Sequence, residues 1–145
     1  MPIYLPIAEL PVTNAVLDGE IVCLDPLGRS QFYQLMFHRA APFFYAFDLL
    51  WLNGDDLRGK SLLERKRRLR SLLRTRKDSR ILYLDHLERN GSGLFAKACE
   101  LDLEGIVAMW KSGQYVASDR RSSWVKIKNR NYSQLERREE LFERR

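Results

Sequence analysis

Apolar and β-branched residues fall in short runs separated by turn formers, which predicts strands with helices between them. Residues 15–24, AVLDGEIVCL, predict a strand pair or a single bulged strand, with Asp18-Gly19 permitting a kink. Asp25-Pro26-Leu27-Gly28 predicts a turn, after which Ser30 can cap a short helix reaching Phe37, with Phe32, Leu35 and Met36 on one side. Residues 42–52, PFFYAFDLLWL, are the most strongly strand-forming run, and Asn53-Gly54 closes them with a tight turn. A central strand is expected there. Ser61 with Glu64 makes a capping box, and Leu62, Leu63, Leu69, Leu72 and Leu73 form an apolar stripe. That helix should cover a sheet with its leucines and show arginines on its other side. A strand over 81–84 follows, then a helix over 92–101 with Leu94, Phe95, Ala98 and Leu101 inward. Two strands, 106–108 and 124–128, are joined by a polar loop. The prolines at 2, 6 and 11 predict an extended lead-in, and nothing repeats internally.

At 145 residues and 45% apolar composition, the chain is one domain or part of one, with enough apolar material for a core. It has no run of 18 apolar residues, and the first ten residues lack the pattern of a signal peptide, so a membrane span is not expected and a cytoplasmic location is. Cys23 and Cys99 are far apart, with only His38 and His86 as companions, so free thiols rather than a zinc site are expected. The formal charge of +6 favours a polyanionic partner. The excess is concentrated between Arg65 and Arg80, where nine basic residues face Asp78 alone. Phosphate contacts through Arg65, Arg67, Arg68 and Arg70 are one reading of that stretch; a solvated helix face is the other.

Candidate chemistry lies in residues 104–128. Successive strand residues alternate faces, so Trp124, Lys126 and Lys128 share one side while Val125 and Ile127 share the other. Two ammonium groups about 7 Å apart repel unless an anion lies between them, and Glu104 adds a ligand for a metal or hydroxyl. A nucleoside triphosphate with its divalent ion suits the set. A plain edge strand with lysines facing water explains an isolated Lys-x-Lys pair as well.

Glu104-Gly105-Ile106-Val107-Ala108, followed by Trp124-Val125-Lys126-Ile127-Lys128, resembles the fourth and fifth nucleotidyltransferase motifs of ATP-dependent DNA ligases, especially bacterial ligase-D-like proteins. YAFDLLWLNG resembles their third motif, in which a Phe stacks on adenine, and this places that role on Phe47; core packing is the ordinary role of a Phe in such a strand. LDGEIV resembles the segment whose Glu approaches the ribose, here Glu20, which Arg29 could equally neutralise. LLERKRRL and KNRNYSQLERREELFE extend the likeness, which covers residues 17–143. The resemblance implies an α+β fold: a partial adenylation domain over 1–128, mainly antiparallel sheet flanked by helices, with a polar tail over 129–145 in which Leu135, Leu141 and Phe142 can dock a short helix. It implies ATP and Mg²⁺ as cofactors, with Glu20, Phe47, Lys126 and Lys128 on the nucleotide and Glu104 on the metal. It also implies DNA as partner, in repair.

The chain departs from the family in one decisive respect. The family's nucleophile is a lysine in Lys-x-Asp-Gly, which attacks the α-phosphate of ATP. None of the seven lysines here precedes Asp-Gly at that spacing, and Val16 occupies the nucleophile's position, two residues before Asp18 of the sole Asp-Gly pair. Met109 stands where the fourth motif carries a second lysine, and no OB domain is expected after the fifth motif within these 145 residues. The expectation is a ligase-like chain that keeps part of the nucleotide pocket and does not ligate alone. The alternatives are a non-catalytic basic module binding DNA or a repair partner, and self-association through an exposed sheet edge.

Overall fold

The computed structural model describes residues 7–31, 34–35, 37, 39–74, 79–118 and 121–133. The described elements run β1 (Ala15–Val22), β2 (Phe43–Leu52), β3 (Asp55–Asp56), α1 (Leu62–Leu73), β4 (Ile81–Tyr83), α2 (Gly91–Glu100), β5 (Gly105–Met109), β6 (Ala117–Ser118), β7 (Arg121–Ser122) and β8 (Trp124–Lys128). They belong to two compact units, one of residues 1–86 with 110–123 and the other of residues 87–109 with 124–145.

The first unit is organised around β2, the apolar run with the strongest strand character. β1 pairs antiparallel along one edge of it, while β4 (parallel) and β3 (antiparallel) pair at residues 44–46 and 51–52 of the other. Asn53 and Gly54, at φ +49° and +94°, make the tight turn from β2 to β3, a conformation open to Asn and Gly at little cost. A parallel return demands a crossover, and α1 supplies it, packed on β2 and β4. Ser61 Oγ accepts the Glu64 N–H at 3.3 Å, capping α1 as its sequence predicts. Leu10, Ala46, Leu49, Leu57, Leu69, Leu73 and Ile81 form the core.

The register of β1 on β2 skips two β2 residues, Leu50 and Phe47, between Val16/Leu17 and between Asp18/Gly19. Each skip is a bulge that shifts the alternation of faces by one, so the core residues of β2 fall at 44, 46, 49 and 52 rather than at every second position. Gly19 sits at the second bulge. A Cβ there would lie 2.6 Å from the Phe44 ring and against the Tyr45 carbonyl, so no larger residue fits. The 25–28 turn forms as expected, with the Gly28 N–H donating to the Asp25 carbonyl at 2.9 Å and Gly28 at φ +77°. Beyond it, the Leu35 N–H donates to the Gln31 carbonyl, while Phe32 and Met36 of the expected helix lie outside the described residues.

In the second unit, β5 and β8 form an antiparallel ribbon with α2 packed on β5. Of the four α2-region residues expected inward, Ala98 is buried, whereas Leu94 and Leu101 remain 39% and 46% exposed. A two-stranded ribbon offers too little surface to cover a whole helix face. The first tail residues fold back onto this unit. Asn129 is buried, donating its backbone N–H to the Glu104 carbonyl and its side-chain amide to the Leu103 carbonyl. Ser133 hydrogen-bonds Asp102. Leu135, Leu141 and Phe142 lie outside the described residues.

Candidate functional site

In the first unit, Glu20 is an exposed residue of β1 and Phe47 a half-buried residue of β2. Phe47 is the residue skipped at the second bulge, between Asp48, which opposes Asp18, and Ala46, which opposes Gly19. Such an insertion re-aims a side chain relative to the strand. Being exposed, Glu20 carries no burial penalty that a cation must offset. Arg29 does not serve it: its guanidinium pairs with Asp25 at 3.1 Å, within the turn.

The Phe47 carbonyl and the following residue, Asp48, are held by α1. That carbonyl accepts from Lys66 Nζ at 3.2 Å, and the same ammonium donates to the Leu84 carbonyl at 2.9 Å and lies 4.8 Å from the Tyr83 ring centre. Burial pushes the Lys66 pKa below its ordinary value, against the upward pull of Asp48 and Asp85. Asp48, 0% exposed, receives a bidentate grip from Arg65, Nε to Oδ1 at 2.7 Å and Nη2 to Oδ2 at 2.9 Å. Asp48 Oδ1 also accepts the Leu49 N–H, and Arg65 Nη1 donates to the carbonyls of Lys60 and Gly113. Nearby, the Tyr115 hydroxyl donates to Asp18 at 3.1 Å; burial, then the Asp18 charge, holds the phenol above its usual pKa.

This corrects the expectation for α1. Arg65 is 1% exposed and donates from all three guanidinium nitrogens to internal acceptors, so it is no part of a basic surface. Arg67 and Arg70 are exposed, Arg70 lying 5.9 Å from the Tyr83 ring, while Arg68 pairs with Glu64 at 3.3 Å and Asp55 at 3.6 Å. The buried cations were legible in the spacing. Arg65 follows Leu62 by three residues and Lys66 precedes Leu69 by three, which sets both on the leucine face. An open groove of about 530 Å³ lies where α1 meets Pro11, Val12 and Leu52; Arg67 and Arg68 line it, and neither Glu20 nor Phe47 does.

In the second unit, the register places Val107 opposite Lys126 and Gly105 opposite Lys128, so both lysines share one ribbon face as alternation predicts. Strict alternation would send Glu104 to the other face. Gly105, at φ +149°, interrupts it, and Glu104 Oε1 comes within 3.9 Å of Lys126 Nζ. A Cβ at Gly105 would run into the Ile127 carbonyl, so only glycine permits this entry. Both partners of the pair are substantially exposed, at 68% for Lys126 and 41% for Glu104, and the contact is a loose surface one. Met109 stands directly opposite Trp124. Among the described residues, no three His, Cys, Asp or Glu side chains cluster to hold a metal ion, and no helix is long and apolar enough to cross a membrane.

Five expected site residues thus fall into two groups, Glu20 with Phe47 in one unit and Glu104 with Lys126 and Lys128 in the other. A family model for the ATP dependent DNA ligase domain matches residues 5–128. The multifunctional non-homologous end joining protein LigD of Pseudomonas aeruginosa is 36% identical over 127 residues, which cover 84% of this chain and 15% of that protein. The crystal structure of the ligase domain of M. tuberculosis LigD matches with a TM-score of 0.66 at 33% identity, over 79% of this chain and 38% of that one. A mycobacterial DNA ligase D complexed with ATP and MES matches with the same TM-score and coverage at 34% identity. The chain therefore spans a small part of these relatives' length. With most of its residues matched by the model and the ordered motifs in place, the chain belongs to the ATP-dependent DNA ligase domain family.

Proposed function

We propose that this chain carries the nucleotide-recognising elements of a DNA ligase adenylation domain. Phe47 is the stacking face for adenine and Glu20 the hydrogen-bond acceptor for the ribose. Lys126 and Lys128 neutralise phosphate charge, and Glu104 supplies one carboxylate to Mg²⁺. The observation that carries the reading is the β5–β8 ribbon, where two lysines two residues apart share a face and Glu104 is turned toward them. Magnesium commonly uses one or two carboxylates and takes the rest of its shell from phosphate and water, so a single half-exposed glutamate fits an ion that arrives with the triphosphate. The ion would offset charge on the phosphoryl oxygens; the lysines supply fixed positive charge beside it.

No lysine of the chain stands in Lys-x-Asp-Gly, so the reading is nucleotide binding without self-adenylation by these 145 residues. The family and the solved relative with ATP support ATP as the nucleotide and DNA as the polymer served, in end-joining repair. Isothermal titration with ATP and Mg²⁺ tests it. The Lys126→Ala, Lys128→Ala double variant should bind at least about a hundredfold more weakly, the loss expected when two charge-assisted contacts worth roughly 1.5–3 kcal/mol each are removed. Equal affinity for parent and variant refutes the phosphate assignment, and a mass gain of one AMP refutes the absence of a nucleophile.

A second reading rests on the exposed Arg67 and Arg70 of α1: a salt-sensitive DNA contact without base preference. Affinity for duplex DNA that is unchanged in the Arg67→Ala, Arg70→Ala variant rules that surface out.

A further inference from the structure

We infer that Lys66 is a positioning residue for the base-stacking face: it fixes the bulged backbone at Phe47 and so sets the orientation of that ring. The inference rests on the assignment of Phe47 to adenine. At a bulge, the register with β1 does not by itself dictate where the inserted residue points. Parallel pairing with β4 ends just short of it. Ala46 opposes Tyr83, and the Leu84 N–H still donates to the Ala46 carbonyl at 2.8 Å. One residue further on, the carbonyls of Phe47 and Leu84 both receive the Lys66 ammonium, which replaces the next rung with a three-centre clasp. Directly after the Phe47 carbonyl, the Asp48 side chain is immobilised by Arg65, the preceding residue of the same helix. Two adjacent residues of α1 therefore hold the Phe47 carbonyl and the side chain of the residue that follows it.

The geometry leaves Lys66 no contact with a nucleotide, as its three donors point at two carbonyls and the Tyr83 ring. It is 4% exposed, and Arg67 beside it shows that α1 has solvent-facing positions for a cation whose role is only surface charge. A buried ammonium at this spot costs desolvation that a leucine would not, and what it supplies in exchange is directional: donors aimed at the bulge.

The test compares two probes on the full chain, adenosine and inorganic tripolyphosphate, titrated into the parent, Phe47→Ala and Lys66→Met. Met keeps the unbranched stem and removes the donors. Lys66→Met should weaken adenosine about tenfold, within the loss expected when a stacking contact is misaligned, and leave tripolyphosphate unchanged. Loss of both affinities together marks a merely structural role and overturns the proposal, as does an unaltered adenosine affinity. Phe47→Ala reads the underlying assignment separately: if it leaves adenosine binding intact, or if the parent binds none, the base-stacking face is wrong and the proposal falls with it. If Phe47→Ala weakens adenosine and Lys66→Met does not, only the positioning role is refuted. Should Met prevent folding, Lys66→Gln keeps a shorter donor, and the same split between the probes is expected to a smaller degree; its absence is equally fatal.

Discussion

Replacing Arg65 with Met removes the cation from Asp48 while keeping an unbranched side chain in the helix. Asp48 and Arg65 are 0% and 1% exposed, so the carboxylate left behind has no route to water and, among the described residues, keeps only the Leu49 N–H as a donor. Breaking such a pair from one side costs about 3–5 kcal/mol, because the remaining charge is buried without its counter-ion. The carbonyls of Lys60 and Gly113 lose their guanidinium donor as well, which adds about 1–2 kcal/mol. Against a total stability of roughly 5–15 kcal/mol, this is a large fraction. With a urea dependence of about 2 kcal/mol per molar, the unfolding midpoint should fall by about 2–3.5 M, followed through Trp51 in β2. The double variant Asp48→Leu, Arg65→Met removes both charges and should recover more than half of the loss, leaving the cost of the two carbonyls. A midpoint that moves by less than about 0.5 M in Arg65→Met, the range of an exposed ion pair, refutes the argument that this pair is sealed from solvent. A double variant no more stable than the single one refutes its electrostatic origin.

Two further outcomes follow from particular contacts. Gly19→Ala sets a Cβ against the Phe44 ring and the Tyr45 carbonyl at the bulge, an overpacking cost of about 1–3 kcal/mol; a thermal scan should show the melting temperature lower by roughly 5 °C, and an unchanged value means the bulge relaxes freely. Hydrogen bonds from the Arg58 side chain, then from its backbone N–H, lower the Asp56 pKa from 3.8 to about 2. A depressed carboxylate contributes stability that is full above its unfolded value and is lost as pH falls through about 2, so Asp56→Asn should flatten the acid limb of the stability curve between about 4 and 2. Carbon-13 titration of the Asp56 carboxyl near 3.8 in the parent chain would dispose of the effect.

The amino-acid sequence by itself determined the elements whose cause is local. The run of aromatic residues and leucines makes β2, Asn53-Gly54 turns it, Ser61 and Glu64 start α1, and alternation in β8 sets Lys126 and Lys128 on one face. The ordered motifs likewise disclosed the family, since they are written in residue types at fixed spacing. Tertiary structure alone decided which side chains meet. The two bulges that re-phase β2 arise from its register with β1, and no period along one strand encodes a register. The spacing from Leu62 and Leu69 sets Arg65 and Lys66 on the buried face of α1, but what they bind there, Asp48 and the carbonyls of Phe47 and Leu84, lies 17 to 19 positions away and is met only when α1 settles on the sheet. Glu104 reaches the lysine face through the backbone angle at Gly105, a freedom that a glycine's presence permits and only its packing against Ile127 makes obligatory.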